Sequence, residues 1–266
     1  MTDAYFETAD GSWFAPTDHT RGPWHPDGCH AGPPTALMAR AMEGIVQEQR
    51  LTRITVDLMR PIPMSGFRVL ASMKKPGRSV SLTEAELYDD DDTIYARAYG
   101  MHLRTLDGLE VSTPVINAPS FEDSVRGPFP IQTTVHGQTG FNTSVECRYD
   151  PSVDEPGAGG PTTMWMRTKV PLLADEEPSP FQRICPLADC LNGISSNGDL
   201  ADVWFVNADL AVSLHRDPVG EWFCAAAASH WEASGVGLAD ASLFDTEGSV
   251  GRATQNLLLS QAGGLL

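Results

Sequence analysis

Ala39-Arg40-Ala41-Met42-Glu43-Gly44 is echoed by Ala188-Asp189-Cys190-Leu191-Asn192-Gly193, at an offset of 149. Working outward, Val56-Asp57-Leu58 lines up with Ala208-Asp209-Leu210 (152), Leu87-Tyr88-Asp89 with Leu243-Phe244-Asp245 (156), and Ala96-Arg97-Ala98 with Gly251-Arg252-Ala253 (155). Four matches in one order, with offsets that agree within a few residues, predict a tandem duplication. Each half reads as one helix followed by strands. In the first, Pro33 and Pro34 suit a first turn and Leu37, Ala41 and Ile45 recur at helical spacing, so 33–49 is the expected helix. Strands are expected at 53–58, 67–73, 80–87 and 93–103. Asp89-Asp90-Asp91-Asp92 between the last two reads as a solvated turn, because the alternating ligands and Gly of a calcium loop are missing. In the second half the helix is expected at 180–194 and strands at 203–214, 221–231, 236–243 and 249–259.

A strand meander buries one face, and a long helix is its natural cover. The fold class is therefore α+β, a tandem double hotdog in which each half is a long helix wrapped by an antiparallel sheet. Pairing the two sheets edge to edge would protect two exposed edges. Residues 1–118 are the expected N-terminal hotdog and 136–266 the C-terminal one. The linker between them, 119–135, follows from Pro114, Pro119, Pro128 and Pro130. A second soft stretch, 151–161, with Gly157, Gly159 and Gly160, reads as a loop inside the second half.

The 266 residues carry 35 Asp+Glu against 18 Lys+Arg, a net charge of −17. That charge repels a phosphate polyanion, which argues against nucleic acid as a partner, and it disfavours anionic membranes. No run of 18 apolar residues suggests a transmembrane helix. The first residues lack the basic and apolar regions of a signal peptide, and five cysteines without a Cys-x-x-Cys suggest neither a disulfide framework nor a zinc ribbon. A reduced, cytoplasmic protein is expected. His19, His25, Cys29 and His30 match no familiar zinc spacing, so no metal is assigned. There is no Gly-x-Ser-x-Gly elbow, no His-Glu-x-x-His, no P-loop and no dinucleotide fingerprint, and no cofactor is implied.

His30-Ala31-Gly32-Pro33-Pro34-Thr35-Ala36-Leu37, 53–61 (RITVDLMRP) and Gly77-Arg78-Ser79 in the first half resemble the acyl-CoA thioesterase II family and its thioesterase-like relatives. So do Pro186-Leu187-Ala188-Asp189, Leu214-His215-Arg216 and Ala253-Thr254-Gln255 in the second. The resemblance spans roughly 10–115 and 180–260, and the order and spacing of the motifs carry it. It implies hydrolysis of acyl-CoA without a covalent intermediate, by a water that an Asp, a Thr or Ser, and a Gln hold. Carried over, the Asp falls on Asp189, within the second helix, and the Gln on Gln255, in the last strand. The hydroxyl position, eight residues before His215, falls on Asn207, a departure from the pattern. An amide both donates and accepts, so it can still hold a water.

Thioester hydrolysis needs a positioned water, a base and donors for the developing oxyanion. Asp189 lies among Leu187, Ala188, Cys190 and Leu191, which makes it a candidate for a raised pKa and a base near neutral pH, or else a helix aspartate at the solvent edge or capping a neighbouring backbone group. Asn207 shares strand parity with Asp209, Ala211 and Ser213, a small polar face suited to a wet cleft or to plain exposure. Gly32 begins the first helix. Since Pro33 and Pro34 lack N–H groups, the free donors there are those of Gly32 and Thr35 onward. Lys74-Lys75-Pro76-Gly77-Arg78 is the densest basic cluster, which makes Lys74, Lys75 and Arg78 candidates for the nucleotide end of CoA. Double hotdogs also include enoyl-CoA hydratases, but no Asp here has the His five residues on which they depend. The reading is an acyl-CoA thioesterase, its alternative a non-catalytic acyl-thioester binding protein on the same scaffold. One chain already holds a hotdog pair, and further sheet pairing would give a homodimer.

Overall fold

The computed structural model describes residues 3–131, 140–153, 159–262 and 264. Positions 132–135 of the expected linker, the following 136–139 and Gly157 of the soft stretch lie outside them. In chain order the elements are β1 (Phe6–Glu7), β2 (Trp13–Pro16), α1 (Gly32–Ile45), β3 (Arg50–Leu58), β4 (Phe67–Lys75), β5 (Val80–Tyr88), β6 (Ile94–Leu103), β7 (Val125–Gly127), β8 (Val145–Tyr149), β9 (Thr162–Thr168), α2 (Pro180–Ala188), α3 (Leu191–Ile194), β10 (Val203–Asn207), β11 (Asp209–Leu214), β12 (Phe223–Trp231), β13 (Val236–Asp245) and β14 (Gly248–Gln261).

Among the described residues the strands form one continuous sheet in the order β1-β2-β4-β5-β6-β3-β11-β14-β13-β12-β9-β8-β7, with β10 also on β14. The two halves join where β3 meets β11. There Asp57 pairs with Asp209, its own counterpart in the repeat, so the pseudo-twofold axis runs through that pair. The double hotdog is thus realised, with the edge-to-edge pairing the repeat suggests. Within 119–135, read as linker, β7 adds an edge strand to β8.

The helices fill the inside of this sheet. In α1 every residue from Gly32 to Ala39 is buried, because β4 and β5 cover one side and α2 the other. A helix enclosed on all sides needs no polar face. Near its end Glu43 reaches across to α2, accepting hydrogen bonds from Ser179 Oγ (2.8 Å) and Gln182 Nε2 (2.7 Å).

The second helix departs from the continuous 180–194 expected. It stops at Ala188 and resumes as the single turn α3. Pro186 lies inside α2, and its missing N–H removes one intrahelical bond. Asp189 N still donates to Cys185 O, but Cys190 N tightens onto Leu187 O, and the ladder breaks there. Asp189 therefore caps a helix rather than lying within one, and its carbonyl is free for other partners.

The strand expected at 203–214 is also divided. Asn207 pairs with Leu257 but Ala211 pairs with Thr254, so one extra residue is accommodated between them. This is a bulge at Ala208–Asp209, held by Ala208 N donating to Asn256 O and Asn256 N donating to Asp209 Oδ1 (2.6 Å). The extra residue breaks the parity expected along 207–213: Leu210, Val212 and Leu214 are buried. Asn207 turns inward toward Asp189 instead of lying with Asp209, Ala211 and Ser213.

Candidate active site

Two breaks in regular structure, one after α2 and one after β10, meet at Asp189. Its Oδ1 accepts from Asn207 Nδ2 (3.1 Å) and Gln255 Nε2 (3.1 Å). The same two amides donate to its freed main-chain oxygen, at 3.3 and 3.0 Å. Its Oδ2 lies 3.1 Å from His30 Nδ1, and the N–H groups of Ala31 and Gly32 at the start of α1 face the carboxyl. The structure thus brings Asp189, Asn207, Gln255 and Gly32 together, although they come from four separate elements.

Burial dominates the electrostatics. It lifts the Asp189 carboxyl from 3.8 to about 7, against the lowering effect of Asn207, the α1 N–H groups and Gln255. Burial also drives His30 down to about 3, so the imidazole is neutral. His30 Nδ1 accepts the Gly32 N–H at 3.2 Å, as it does in the acid form, where Asp189 also donates to Nδ1. In the carboxylate form the ring moves its proton from Nε2 to Nδ1, gives up the Gly32 contact and donates to Oδ2. Phe141 fixes the ring plane by stacking on it at 3.9 Å between centroids. The other ring nitrogen, Nε2, lies 3.8 Å from Cys190 Sγ, but that thiol donates to Pro186 O, and burial holds its pKa well above 9.0. Cys190 is therefore a poor nucleophile.

Asn207 has one atom left over. Its Nδ2 is spent on Asp189, while its Oδ1 is buried with no partner among the described residues. A separate cavity of about 10 Å³ opens beside His30, lined by Arg21, Phe129 and Phe141 among others but not by Asp189, Asn207 or Gln255. That is room for about one water. Sequence reasoning gave His30 no role here, having met it only in a lead-in motif and a rejected metal cluster. Its position two residues before the first residue of α1 is the signal that could have found it.

Other expected contacts are not assembled at this point. Thr35 donates its N–H to Ala31 O at 2.9 Å, so it is not the free donor expected: α1 begins one residue early enough to use it. Lys74, Lys75 and Arg78 lie at the β4–β5 turn, next to the β3 end where Gln49 Nε2 donates to Gly77 O. The site adjoins the opposite end of β3, where Leu58 N donates to Ala208 O. Eight steps of strand separate the two ends, roughly 26 Å. Lys74 is moreover paired with Glu84.

The repeat generates a second, symmetry-related position, which carries different residues. The counterparts of Asp189, Asn207 and Gln255 are Arg40, Thr55 and Gly100. Arg40 is tied to Glu176 (2.6 Å), and at Gly100 a side chain would collide with Thr83 Oγ1 and Met42 Sδ.

Residues 121–259 match the acyl-CoA thioesterase C-terminal domain and residues 20–103 the acyl-CoA thioesterase N-terminal domain. The chain belongs to the acyl-CoA thioesterase family. Membership places it among hydrolases that act on thioesters. A search of curated protein sequences finds no match. Solved structures share the fold at low identity. A hot dog fold protein of unknown function from Alicyclobacillus acidocaldarius superposes with a TM-score of 0.73 at 16% identity, covering 97% of each chain. The tesB protein of Mycobacterium avium subspecies paratuberculosis gives 0.68 at 15%, covering 96% of this chain and 95% of its own. Acyl-CoA thioesterase II TesB2 of Mycobacterium marinum gives 0.66 at 14%, covering 97% of each. Among the described residues no helix is long and apolar enough to cross a membrane.

Proposed function

We propose that the protein hydrolyses acyl-CoA thioesters to free acid and CoA by direct attack of a water held by Asp189, Asn207 and Gln255. The observation that carries this reading is the Asp189 carboxyl, with a pKa near 7, between two amide donors and beside the Oδ1 of Asn207, which has no partner among the described residues. In its ionised form Asp189 is the base. The water donates one proton toward Asp189 and the other to Asn207 Oδ1, which fixes its lone pair on the carbonyl carbon. Asn207 thereby supplies as acceptor what a Thr or Ser hydroxyl supplies elsewhere. Gln255 holds the carboxylate in place, and His30 holds the other oxygen. As the C–O bond forms, the carbonyl oxygen gains charge, which the positive end of the α1 dipole stabilises; the Gly32 N–H itself, expected as a free donor, is engaged by His30 Nδ1 at 3.2 Å. The C–S bond then breaks, and the proton held by Asp189 passes to the CoA thiolate.

The experiment is release of free CoA from short-, medium- and long-chain acyl-CoAs by wild type beside Asp189→Asn. Turnover that collapses in the variant supports the reading, and equal turnover in both moves the base elsewhere. Asn207, standing where the pattern has a hydroxyl, favours one second reading, an acyl-thioester binding protein. That protein would turn over no substrate yet gain thermal stability with a non-hydrolysable acyl-CoA analogue.

A further inference from the structure

A glutamine side chain can present either its oxygen or its NH2 group to a carboxyl, and only the second holds Asp189. What decides the orientation of Gln255 is the main chain of Asn192. Gln255 is fully buried, and its Oε1 accepts the Asn192 N–H at 3.3 Å, which leaves Nε2 for Asp189. Asn192 is the second residue of α3, a helix too short to fix its own backbone. It is fixed instead by its side chain, whose Oδ1 accepts from Ser229 Oγ (2.8 Å) and from Trp231 Nε1 (2.9 Å) on β12. An indole N–H only donates, so the oxygen must face it, and the amide of Asn192 has one orientation. The cross-strand row makes room for this. Ser229 pairs with Ala239 and Ala239 with Gln255, so the smallest residue lies between the two that Asn192 engages.

The side chain is fully buried, and its Nδ2 has no partner among the described residues.

We propose that Asn192 is a positioning residue of the reaction: anchored by Ser229 and Trp231, it presents its main-chain N–H to Gln255 and so aims the Gln255 amide at Asp189. The inference rests on the hydrolytic reading above for its kinetic consequence, but its structural content is separable, because Gln255 donating to Asp189 lowers the carboxyl pKa whether or not a substrate turns over.

The test is a double-mutant cycle between Asn192→Leu and Gln255→Ala with two readouts: steady-state kinetics on acyl-CoA, and the Asp189 carboxyl titrated by 13C NMR in aspartate-labelled protein. Asn192→Leu is expected to lower kcat about tenfold with KM within about twofold, and to raise the Asp189 pKa as Gln255→Ala does. In the Gln255→Ala background it should change neither readout further. Trp231→Phe keeps the ring and removes only the indole donor. It should move both readouts in the same direction by a smaller factor, about threefold in kcat, and it carries the cycle should Asn192→Leu not fold. Effects that add across the cycle, or variants that leave kcat and the titration at wild-type values, overturn the proposal. A wild type without turnover on any acyl-CoA, but with the coupled titration intact, overturns the hydrolytic reading and the kinetic role of Asn192, and upholds only its aiming of the Gln255 amide.

Discussion

Asn207 donates Nδ2 to Oδ1 of Asp189 at 3.1 Å and keeps its own Oδ1 buried and unpaired among the described residues. One amide therefore does two jobs, holding the base and offering an acceptor to the water. Asn207→Leu keeps the size and removes both. Loss of one preorganised polar contact at a reacting centre costs about 10²-fold in kcat, with little change in KM. Asn207→Thr restores an acceptor on a shorter arm and should recover part of that loss. Kinetics of the three proteins on one acyl-CoA check this; a Leu variant as fast as wild type removes Asn207 from the mechanism.

The acidity of Asp189 sets the pH profile. With a carboxyl near 7, the base form is scarce below neutrality, so kcat/KM should rise about tenfold per pH unit up to about 7 and level off above it. A flat profile between pH 5 and 7 would show that an already ionised group is the base. His30 tests the cause. It is neutral throughout that range, so His30→Gln should keep the shape of the profile while lowering its plateau.

How much of this was legible in the sequence depends on the range of the interaction. The repeat around Glu43 and Asn192 could be read directly, because a duplicated helix and meander leave an imprint at a fixed offset. The resemblance pointed to Asp189 and Gln255. The geometry that makes them neighbours was not legible. Pro186 lay in plain sight, but its consequence, a helix broken so that Asp189 can offer its carbonyl, needs the amides of Asn207 and Gln255 as partners. The bulge at Ala208–Asp209 is stabilised by Asn256, remote in sequence, and parity counting has no access to it. Strands β8 and β9 carry no strand signal in the sequence, because Pro- and Gly-rich stretches flank them and Met164-Trp165-Met166 is a continuous apolar run, without the alternation that marks a half-buried strand.

The basic cluster gives a prediction by its distance. Roughly 26 Å of strand separates Lys74, Lys75 and Arg78 from Asn207. Replacing all three by Ala, with KM for acyl-CoA as the readout, is expected to leave KM within about twofold of wild type. A tenfold rise in KM would place the nucleotide at that turn after all.

Gly32 is required for packing as well as for its N–H. A Cβ there would lie 2.8 Å from Pro186 Cα and 3.2 Å from Pro186 O. Both are backbone atoms next to the break that presents Asp189, so the two helices would have to separate. Gly32→Ala is expected to cost about 1–3 kcal/mol in stability, as overpacked sites do. Shifting Asp189 by a fraction of an ångström should also cut kcat about tenfold or more. Urea unfolding and kinetics on the same preparation check both. A variant with native stability and activity would show that α1 and α2 approach less closely than this.

The buried pair also predicts how stability follows pH. For Asp189 the folded pKa, about 7, lies above the ordinary 3.8, so the fold prefers the protonated form. That contribution is complete below about pH 4 and is lost as pH rises through 7. For His30 the folded value, about 3, lies below the ordinary 6.5; its contribution is present above 6.5 and lost as pH falls through 3. The two oppose each other between pH 4 and 7, so wild-type stability should vary little there on their account. Asp189→Asn separates them. An amide at this position resembles the protonated acid: its oxygen can accept from Asn207 and Gln255, and its NH2 can donate to His30 Nδ1. The variant should match wild type below about pH 4, exceed it by about 1.6 kcal/mol at pH 5, and exceed it by as much as about 4 kcal/mol at pH 8 if the full shift is realised. Urea titrations of both proteins at pH 5 and pH 8 decide it. An advantage of the same size at pH 5 and pH 8 would mean that Asp189 titrates outside this window and is not held near neutrality by burial.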